Sequence, residues 1–276
     1  MASTATSWLN DLTSLFTPGA SQFDGAKGHK DSIQARLDYA LGVYRMFEIG
    51  SLRHGTGVWQ YSDADYLVSL KGIQSTSPLT MLTKVKGALQ ARFTSTTITI
   101  RQPAVVCHFS DGIVEVVPGY ASPGGGYWIA NPTGGWMKSF PEEHNKYVNE
   151  INAKHSGGGA KMLARHLKIW KYKRNAPVSS CYLEMRAAKF LSDETAYVPI
   201  IDLHYAFKHL QSVQLAAMND PTGLGSRFGC CSSESTKADA MSKLDTAVTR
   251  SGRALTYHLA DDHDKAIEQL KLLFNR

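Results

Sequence analysis

Two aspartates, Asp63 and Asp65, lie one residue apart in a segment, 62–70, whose pattern predicts a β-strand. Side chains two positions apart on a strand point to the same face. Two carboxylates held that close repel each other, and each resists ionisation unless a cation lies between them. Mg²⁺ is a hard cation that takes oxygen ligands and bridges to phosphates. The spacing therefore predicts ligands for Mg²⁺, and a pair of solvated surface aspartates is the alternative.

A phosphate-binding turn is predicted just before this pair. Gly50 and Ser51 lie about a dozen residues upstream, in a loop that also carries Gly55 and Gly57. Backbone amides of such a turn, together with a serine hydroxyl, are suitable donors to phosphate oxygens. A phosphate site beside a divalent-cation site indicates phosphoryl or nucleotidyl transfer.

A site with two metal ions needs a third carboxylate, and the segment 111–118 offers two candidates. Asp111 precedes Gly112, where an aspartate is a common turn former. Glu115 lies between valines in a predicted strand, where an unpaired buried carboxylate is unfavourable. Glu115 is therefore the predicted third acid, and a position facing solvent is the alternative.

The composition is that of a globular protein with a mild excess of basic residues. The chain has 276 residues, 43% of them hydrophobic, and a formal net charge of +6, which favours partners such as nucleotides. Its four cysteines show no metal-ligand spacing and are predicted to be reduced thiols. No apolar stretch approaches the roughly 20 residues of a membrane span. These features lead us to expect a cytoplasmic protein without a membrane partner.

The order of predicted elements indicates an α+β fold in two lobes. Helices are predicted over 7–16, 31–47 and 79–93, followed by short strands over 94–102, 104–109, 112–120 and 127–131. The Asp111-Gly112 pair predicts a hairpin, and the glycine-rich segments around 122–128 and 132–136 are predicted to be flexible. From residue 141 onward the pattern is helical. The predicted lobes are 1–140, with the N-terminal helices, and 141–276.

The predicted helix over 160–173 has a basic face. Lys161, Arg165 and Lys168 recur at helical spacing on it. A solvated surface is the ordinary explanation, and the alternative is that this face meets the Ser51 loop and supplies positive charge for a leaving pyrophosphate. Ser180 is predicted to cap the next helix, and a capped helix start can also bind anions.

Taken together, these motifs resemble a known family. The segments "GSLRHGTGVWQYSDADYLV" and "VEVVPG" resemble the hG[GS]…Dh[DE]h…h[DE]hhP signature of polymerase-beta-type nucleotidyltransferases. Within these, "LARHLKIWKYKRNAPVSSCYLEMRA", "MNDPTG" and "DKAIEQLKLLF" resemble later elements of the cGAS/DncV-like group. The resemblance therefore extends over most of the chain.

The resemblance implies a fold, a reaction and a set of site residues. The fold would be a nucleotidyltransferase core of sheet and helices packed against a C-terminal helical lobe, with the active-site cleft between them. The reaction would join NTPs into a cyclic di- or trinucleotide, used by bacterial members as an alarm signal in antiphage defence (CBASS). Nucleic acid would not be required, and a regulatory protein partner is an option.

The site residues carried by the resemblance fall into two groups, metal ligands and nucleotide ligands. Asp63, Asp65 and Glu115 would bind two Mg²⁺ ions, or Mn²⁺ in their place, and Glu115 would help deprotonate the attacking hydroxyl. The nucleotide ligands would be Gly50 and Ser51 at the triphosphate, with Lys168 and Ser180 at the β- and γ-phosphates. Apart from the resemblance, Tyr182 is a base-stacking candidate because it follows Ser180 closely in the sequence.

One residue departs from the family pattern. The third acid is usually aspartate, whereas this chain has Glu115, whose extra methylene moves the carboxylate by more than about 1 Å. Two other functions remain open at this stage. One is transfer to a different acceptor, such as a tRNA end, a protein or a small molecule, and the other is nucleotide sensing without catalysis.

Overall fold

The structure, a computed structural model, describes residues 4–155 and 157–276. Within these residues seven strands form one mixed sheet. The strands are β1 Val43–Ile49, β2 Ala64–Leu70, β3 Thr97–Arg101, β4 Ala104–Phe109, β5 Gly112–Ala121, β6 Tyr127–Ala130 and β7 Trp136–Ser139. The helices are α1 Ala5–Phe16, α2 Asp24–Gly28, α3 Lys30–Leu41, α4 Gly50–His54, α5 Pro78–Gln90, α6 Pro141–Lys154, α7 Gly159–Lys173, α8 Ser180–Ser192, α9 Pro199–Ser212, α10 Glu234–Leu259 and α11 His263–Phe274, and a 3₁₀ helix covers Ala20–Phe23.

The sheet has the order β1-β2-β5-β4-β3, and the β6–β7 hairpin extends from β5. β2 and β5 run parallel, whereas the other pairs are antiparallel. A parallel pair needs a long crossover, which α5 and the β3–β4 hairpin provide here. The α+β fold class is therefore confirmed, as is the hairpin at Asp111-Gly112, where Phe109 pairs with Gly112.

One predicted helix is too long. The sequence pattern predicts a helix over 31–47, but α3 ends at Leu41 and the next residues form β1. Gly42 between them has φ +73°, a conformation that an α-helix cannot contain and that glycine adopts readily. Tyr44, which lies inside the predicted helix, is instead an exposed side chain of the strand.

A second difference concerns the glycine-rich segment 132–136. The sequence predicts a flexible segment, but Trp136 begins β7, which pairs with β6. The pairing runs from Ala130 opposite Trp136 to Tyr127 opposite Ser139. The turn between them contains Gly134 and Gly135, both with positive φ. Two successive glycines in that conformation are typical of a tight hairpin turn rather than of a linker.

The two faces of the sheet have different surroundings. On one face, even-numbered residues of β2 such as Tyr66 and Val68 pack against Ile33 and Leu37 of α3 and against α5. On the other face, odd-numbered positions carry Leu67 and, on β5, Val117, in a small cluster with Tyr127 and Ile129. That second face leaves room at its end for the acidic residues.

The remaining helices form a separate core, and α1 belongs to it. Leu9, Leu12 and Phe16 of α1 are buried in the same cluster as the helices from α6 to α11. Thr13 of α1 also lies 2.7 Å from Nε2 of the buried His166 on α7. The sequence predicts the N-terminal helix in the first lobe, but α1 packs with the helices of the second. The division of the chain at 140/141 stays a prediction. None of the helices in the described residues has the length and apolar character of a membrane span.

Candidate active site

The three predicted acids lie together at one end of the β2–β5 pair. In the parallel register Asp65 is the direct partner of Glu115, and Asp63 lies just before β2. Because alternate residues share a face, Asp65 and Glu115 point away from α3 and α5, like Leu67 and Val117. The sequence prediction that Glu115 joins the aspartates on one face of the sheet therefore agrees with the register.

Gly50 provides the space that Asp65 occupies. Its φ is +67°, and a Cβ built on it would lie 2.3 Å from Oδ2 of Asp65. Any side chain at this position would collide with the carboxylate. The next residue, Ser51, has its hydroxyl 3.2 Å from the hydroxyl of Ser62, directly before the aspartates. The predicted phosphate-binding turn and the acid pair are therefore neighbours.

Arg101, at the end of β3, connects two of the acids. Its Nη2 atom lies 3.3 Å from Oδ2 of Asp63 and forms an ion pair with Oε1 of Glu115. The arginine side chain is 65% exposed, whereas those of Asp63 and Glu115 are 24% and 15% exposed. The carboxylates are thus partly buried around a cation that enters from solvent. No sequence motif pointed to Arg101, because its role depends on the β3–β4 hairpin, in which β4 pairs with β5 and β3 follows at the edge of the sheet.

The protonation of the aspartates follows from their burial. Burial, followed by the charge of Asp63, raises the pKa of Asp65 to about 7, against the opposing charges of Lys168 and Arg101. Burial also raises the pKa of Asp63, and the nearby charge of Arg101 opposes it. Asp65 therefore resists ionisation in the metal-free protein, as expected for two close carboxylates without a full counter-charge.

This shift predicts a pH dependence of stability. The raised pKa of Asp65 means that the unfolded chain loses its proton at lower pH than the folded chain does. The metal-free protein is then expected to lose stability as the pH rises from about 4 to about 7, with a fall in Tm on the order of 5 °C. Thermal melts in EDTA between pH 5 and 8 would measure it. Asp65→Asn should remove most of this dependence, and an unchanged slope in that variant would contradict the assignment.

Lys168 lies in a fully buried polar network behind the glycine loop. Its ammonium donates to the carbonyl of Thr56 at 2.9 Å, to the hydroxyl of Thr56 at 3.2 Å and to Oε2 of Glu184 at 3.3 Å. Glu184 is also bonded to His54 and to the hydroxyl of Thr56. Burial would raise the pKa of Glu184, but the charges of His54 and Lys168 outweigh it and hold that pKa below its usual range.

The basic face of α7 therefore meets the loop and is not solvated. Arg165 donates to the carbonyls of Gly57 at 2.9 Å and Gly55 at 2.7 Å. The ammonium of Lys168 donates to the carbonyl of Thr56, which lies between these two glycines in the sequence. The alternative that this face approaches the Ser51 loop is thus correct. In this arrangement, however, Lys168 presents no free donor to the predicted β- and γ-phosphates.

The more accessible cation of α7 is Lys171, one turn beyond Lys168. Together with Tyr172 and Ser180 it forms a wall of the site. Its ammonium donates to the hydroxyl of Ser180 at 2.6 Å, and the hydroxyl of Tyr172 lies 3.1 Å from the same oxygen. Burial, then the charges of Lys168 and Arg101, lower the pKa of Lys171 to about 8. Burial, with further contributions from the charges of Asp63 and Asp65, raises the pKa of Tyr172. The wall that contains Tyr172 therefore faces the acids.

Two predictions for α8 are wrong. Ser179, rather than Ser180, caps the helix, because its side chain accepts from the amide of Tyr182. Ser180 is thereby free to bond Lys171. Tyr182 itself is fully buried and donates to the carbonyl of Ala216 at 2.8 Å, so its ring cannot stack on a base. A stacked aromatic pair, Tyr61 and Tyr172, lies beside Ser180, with ring centroids 4.5 Å apart.

The residues present fit a divalent cation by their chemistry. Oxygen ligands suit Mg²⁺ and Mn²⁺, and the contact of one Arg101 nitrogen with both Asp63 and Glu115 shows that these two carboxylates face the same cationic group. Among the described residues, no three His, Cys, Asp or Glu side chains are already arranged around a metal position. The carboxylates would have to turn from Arg101 to take up a metal ion.

Comparison with known families identifies the chain. The sequence pattern of the Second Messenger Oligonucleotide or Dinucleotide Synthetase domain (SMODS) matches residues 4–152, which is more than half of the chain. The chain belongs to the SMODS family. It is therefore a cGAS/DncV-like nucleotidyltransferase. The matched span contains Gly50, Ser51 and all three acids. A comparison with curated protein sequences gives no match.

Solved structures of cGAS/DncV-like enzymes share the fold of this SMODS protein over nearly its whole length. CdnC of E. coli MS115-1, determined with ATP, has a TM-score of 0.73 at 16% identity, with 97% of each chain covered. CdnG of Bradyrhizobium diazoefficiens, in complex with GTP, has a TM-score of 0.71 at 11% identity, with 99% of this chain and 98% of that chain covered. The likeness therefore extends beyond the matched domain into the C-terminal helices.

Proposed function

We propose that this SMODS protein joins NTPs into a cyclic di- or trinucleotide with release of pyrophosphate, in a reaction that requires Mg²⁺ or Mn²⁺. The observation that carries the proposal is the position of Asp63, Asp65 and Glu115 on one face of the sheet, opposite the Lys171–Ser180 pair. A triphosphate between the two sides would meet the metal-binding acids on one side. On the other it would meet the ammonium of Lys171 and the hydroxyl of Ser180. The similar protein CdnC has been solved with ATP and, separately, in complex with a HORMA protein. These two complexes support the proposal of NTP substrates and of a regulatory protein partner for this chain.

Asp63, Asp65 and Glu115 would hold the two metal ions. When bound, these ions would supply Lewis-acid activation of the α-phosphate and of the attacking ribose hydroxyl. Glu115, with its longer side chain, would accept the proton of that 3′- or 2′-hydroxyl. A role in bacterial antiphage signalling belongs to the same proposal and rests on the family.

The opposite wall would bind the polyphosphate. Ser180 on this wall, and Ser51 beside the acids, would donate hydroxyl hydrogen bonds to its oxygens. With a pKa of about 8, Lys171 is mostly protonated at neutral pH and would offset the charge of the leaving pyrophosphate. Lys168 would act indirectly, because it holds the backbone of Thr56 and so fixes the loop that carries Ser51.

Product analysis tests the function directly. The protein would be incubated with the four NTPs, singly and in pairs, with Mg²⁺ or Mn²⁺, and the products identified by mass spectrometry. A cyclic oligonucleotide has no terminal phosphate and needs no added acceptor. Products that form only with a tRNA, protein or small-molecule acceptor would identify a different transferase. NTP binding without pyrophosphate release under all conditions would indicate a sensor.

Lys171→Met tests the polyphosphate wall. Loss of a charge-assisted hydrogen bond is expected to raise the KM for NTP roughly ten-fold, and to weaken product inhibition by pyrophosphate to a similar extent. Steady-state kinetics would measure both values. Lys173→Met is a matched control, because Lys173 lies over the ring of Phe16 on α1 and away from the acids. Equal effects of the two substitutions would contradict a specific role for Lys171.

A further inference from the structure

Arg101 differs from the other groups of the site, because it is a cation in direct contact with two predicted metal ligands. A single nitrogen, Nη2, contacts both Asp63 and Glu115. The space between these carboxylates is also where a metal ion shared by them would have to lie. The guanidinium and the metal therefore cannot both occupy it.

The position of Arg101 allows it to leave. Its side chain is 65% exposed, and β3 is an edge strand that pairs only with β4 within the described residues. An exposed arginine can change rotamer without disturbing the core. Solvent also reaches the guanidinium side of its two ion pairs and screens them in part. Departure from the carboxylates would thus require little rearrangement.

We propose that Arg101 is a positioning residue that offsets part of the negative charge of the acid cluster in the metal-free protein and is displaced from Asp63 and Glu115 when a divalent cation binds. Occupation by the guanidinium explains why the three carboxylates are near one another without being arranged around a metal position. It also makes metal uptake an exchange of one cation for another. This inference rests on the metal site of the proposed function.

The first test is Mn²⁺ binding without nucleotide, measured by electron paramagnetic resonance of free Mn²⁺. Since metal binding must break these two ion pairs in the unaltered protein, Arg101→Gln should bind Mn²⁺ roughly three- to ten-fold more tightly. Lys171→Met is the matched control. It removes a positive charge from the opposite wall, near enough to act on Arg101, but its ammonium is bonded to Ser180 and not to the acids. It should bind Mn²⁺ nearly as the unaltered protein does.

The outcomes separate the possibilities. Tighter binding by Arg101→Gln than by Lys171→Met supports displacement. Equal affinities for these two variants, or an unchanged affinity in Arg101→Gln, overturn it, since removal of any nearby charge would then suffice. If the unaltered protein and both variants bind no Mn²⁺, the proposed metal site itself is wrong.

A second measurement needs no substitution. Phenylglyoxal modifies accessible arginine side chains, and peptide mapping by mass spectrometry reports each one separately. Modification of Arg101 should become several-fold faster when saturating Mn²⁺ is added, whereas that of Arg253, an exposed arginine on α10, should not change. An unchanged or slower rate at Arg101 in protein that binds Mn²⁺ would overturn the displacement.

Discussion

Replacement of Asp65 by asparagine is expected to lower the rate of pyrophosphate release by at least about 1000-fold. The substitution keeps the shape of the side chain next to Gly50 but removes a charged oxygen ligand. The same change should stabilise the metal-free protein near neutral pH, because the pKa of Asp65 is raised to about 7 by burial and by Asp63. Pyrophosphate release and thermal melts in EDTA would measure the two effects.

Asp65→Asn is expected to lower the rate of pyrophosphate release and to raise the stability of the metal-free protein. This combination is specific to the prediction. A variant that loses activity because it misfolds would lose stability as well. Asp111→Asn is a suitable control, because sequence left Asp111 as the other candidate for the third acid. Its carboxylate is bonded to His29 at 2.7 Å, in the β4–β5 hairpin. Full activity is expected for that variant, and its inactivity would contradict the choice of Glu115.

Replacement of Glu184 by alanine should give the largest loss of stability. It leaves the buried ammonium of Lys168 without its carboxylate, and the free energy of unfolding should fall by about 3–5 kcal/mol. Urea denaturation would measure this loss. The double substitution Lys168→Met with Glu184→Leu removes both charges and should recover part of it, because an apolar pair fits a buried site better than a lone charge.

The same variants distinguish two roles for Lys168. If Lys168 acts through the loop at Thr56, Lys168→Met should lose stability and activity together. If it contacts phosphate directly, as the family resemblance implies, activity should fall while stability is retained in the double variant. A double variant with full stability and unaltered KM for NTP would contradict both roles.

The fold could be predicted where the local signal was strong. The alternation of β-branched residues, the Asp111-Gly112 turn and the Pro141 helix start all predicted elements that the structure contains. The end of α3 was missed because Val43, Tyr44 and Phe47 fit helical and strand periodicity equally well. Gly42 was the available signal, and its positive φ is what separates the two elements.

The site could be predicted only in part, because side-chain partners depend on tertiary packing. Register on adjacent strands brings Asp65 and Glu115 together, and the spacing of the acids anticipated this. Nothing local distinguishes Lys168 from Lys171, since both lie on the basic part of α7. Packing against Thr56 and Glu184 buries the first, whereas the second bonds Ser180.

The placement of α1 constrains how the enzyme can admit a substrate. Helix α1 lies in the core of the C-terminal helices, and the chain then passes into the sheet and returns to that core from residue 141 onward. Elsewhere, Ser226 and Lys138 exchange hydrogen bonds of 3.1 and 3.0 Å between a C-terminal loop and β7. Several tethers at separate points oppose a swing about one hinge. We therefore expect the sheet and the C-terminal helices to move little against each other when a substrate enters.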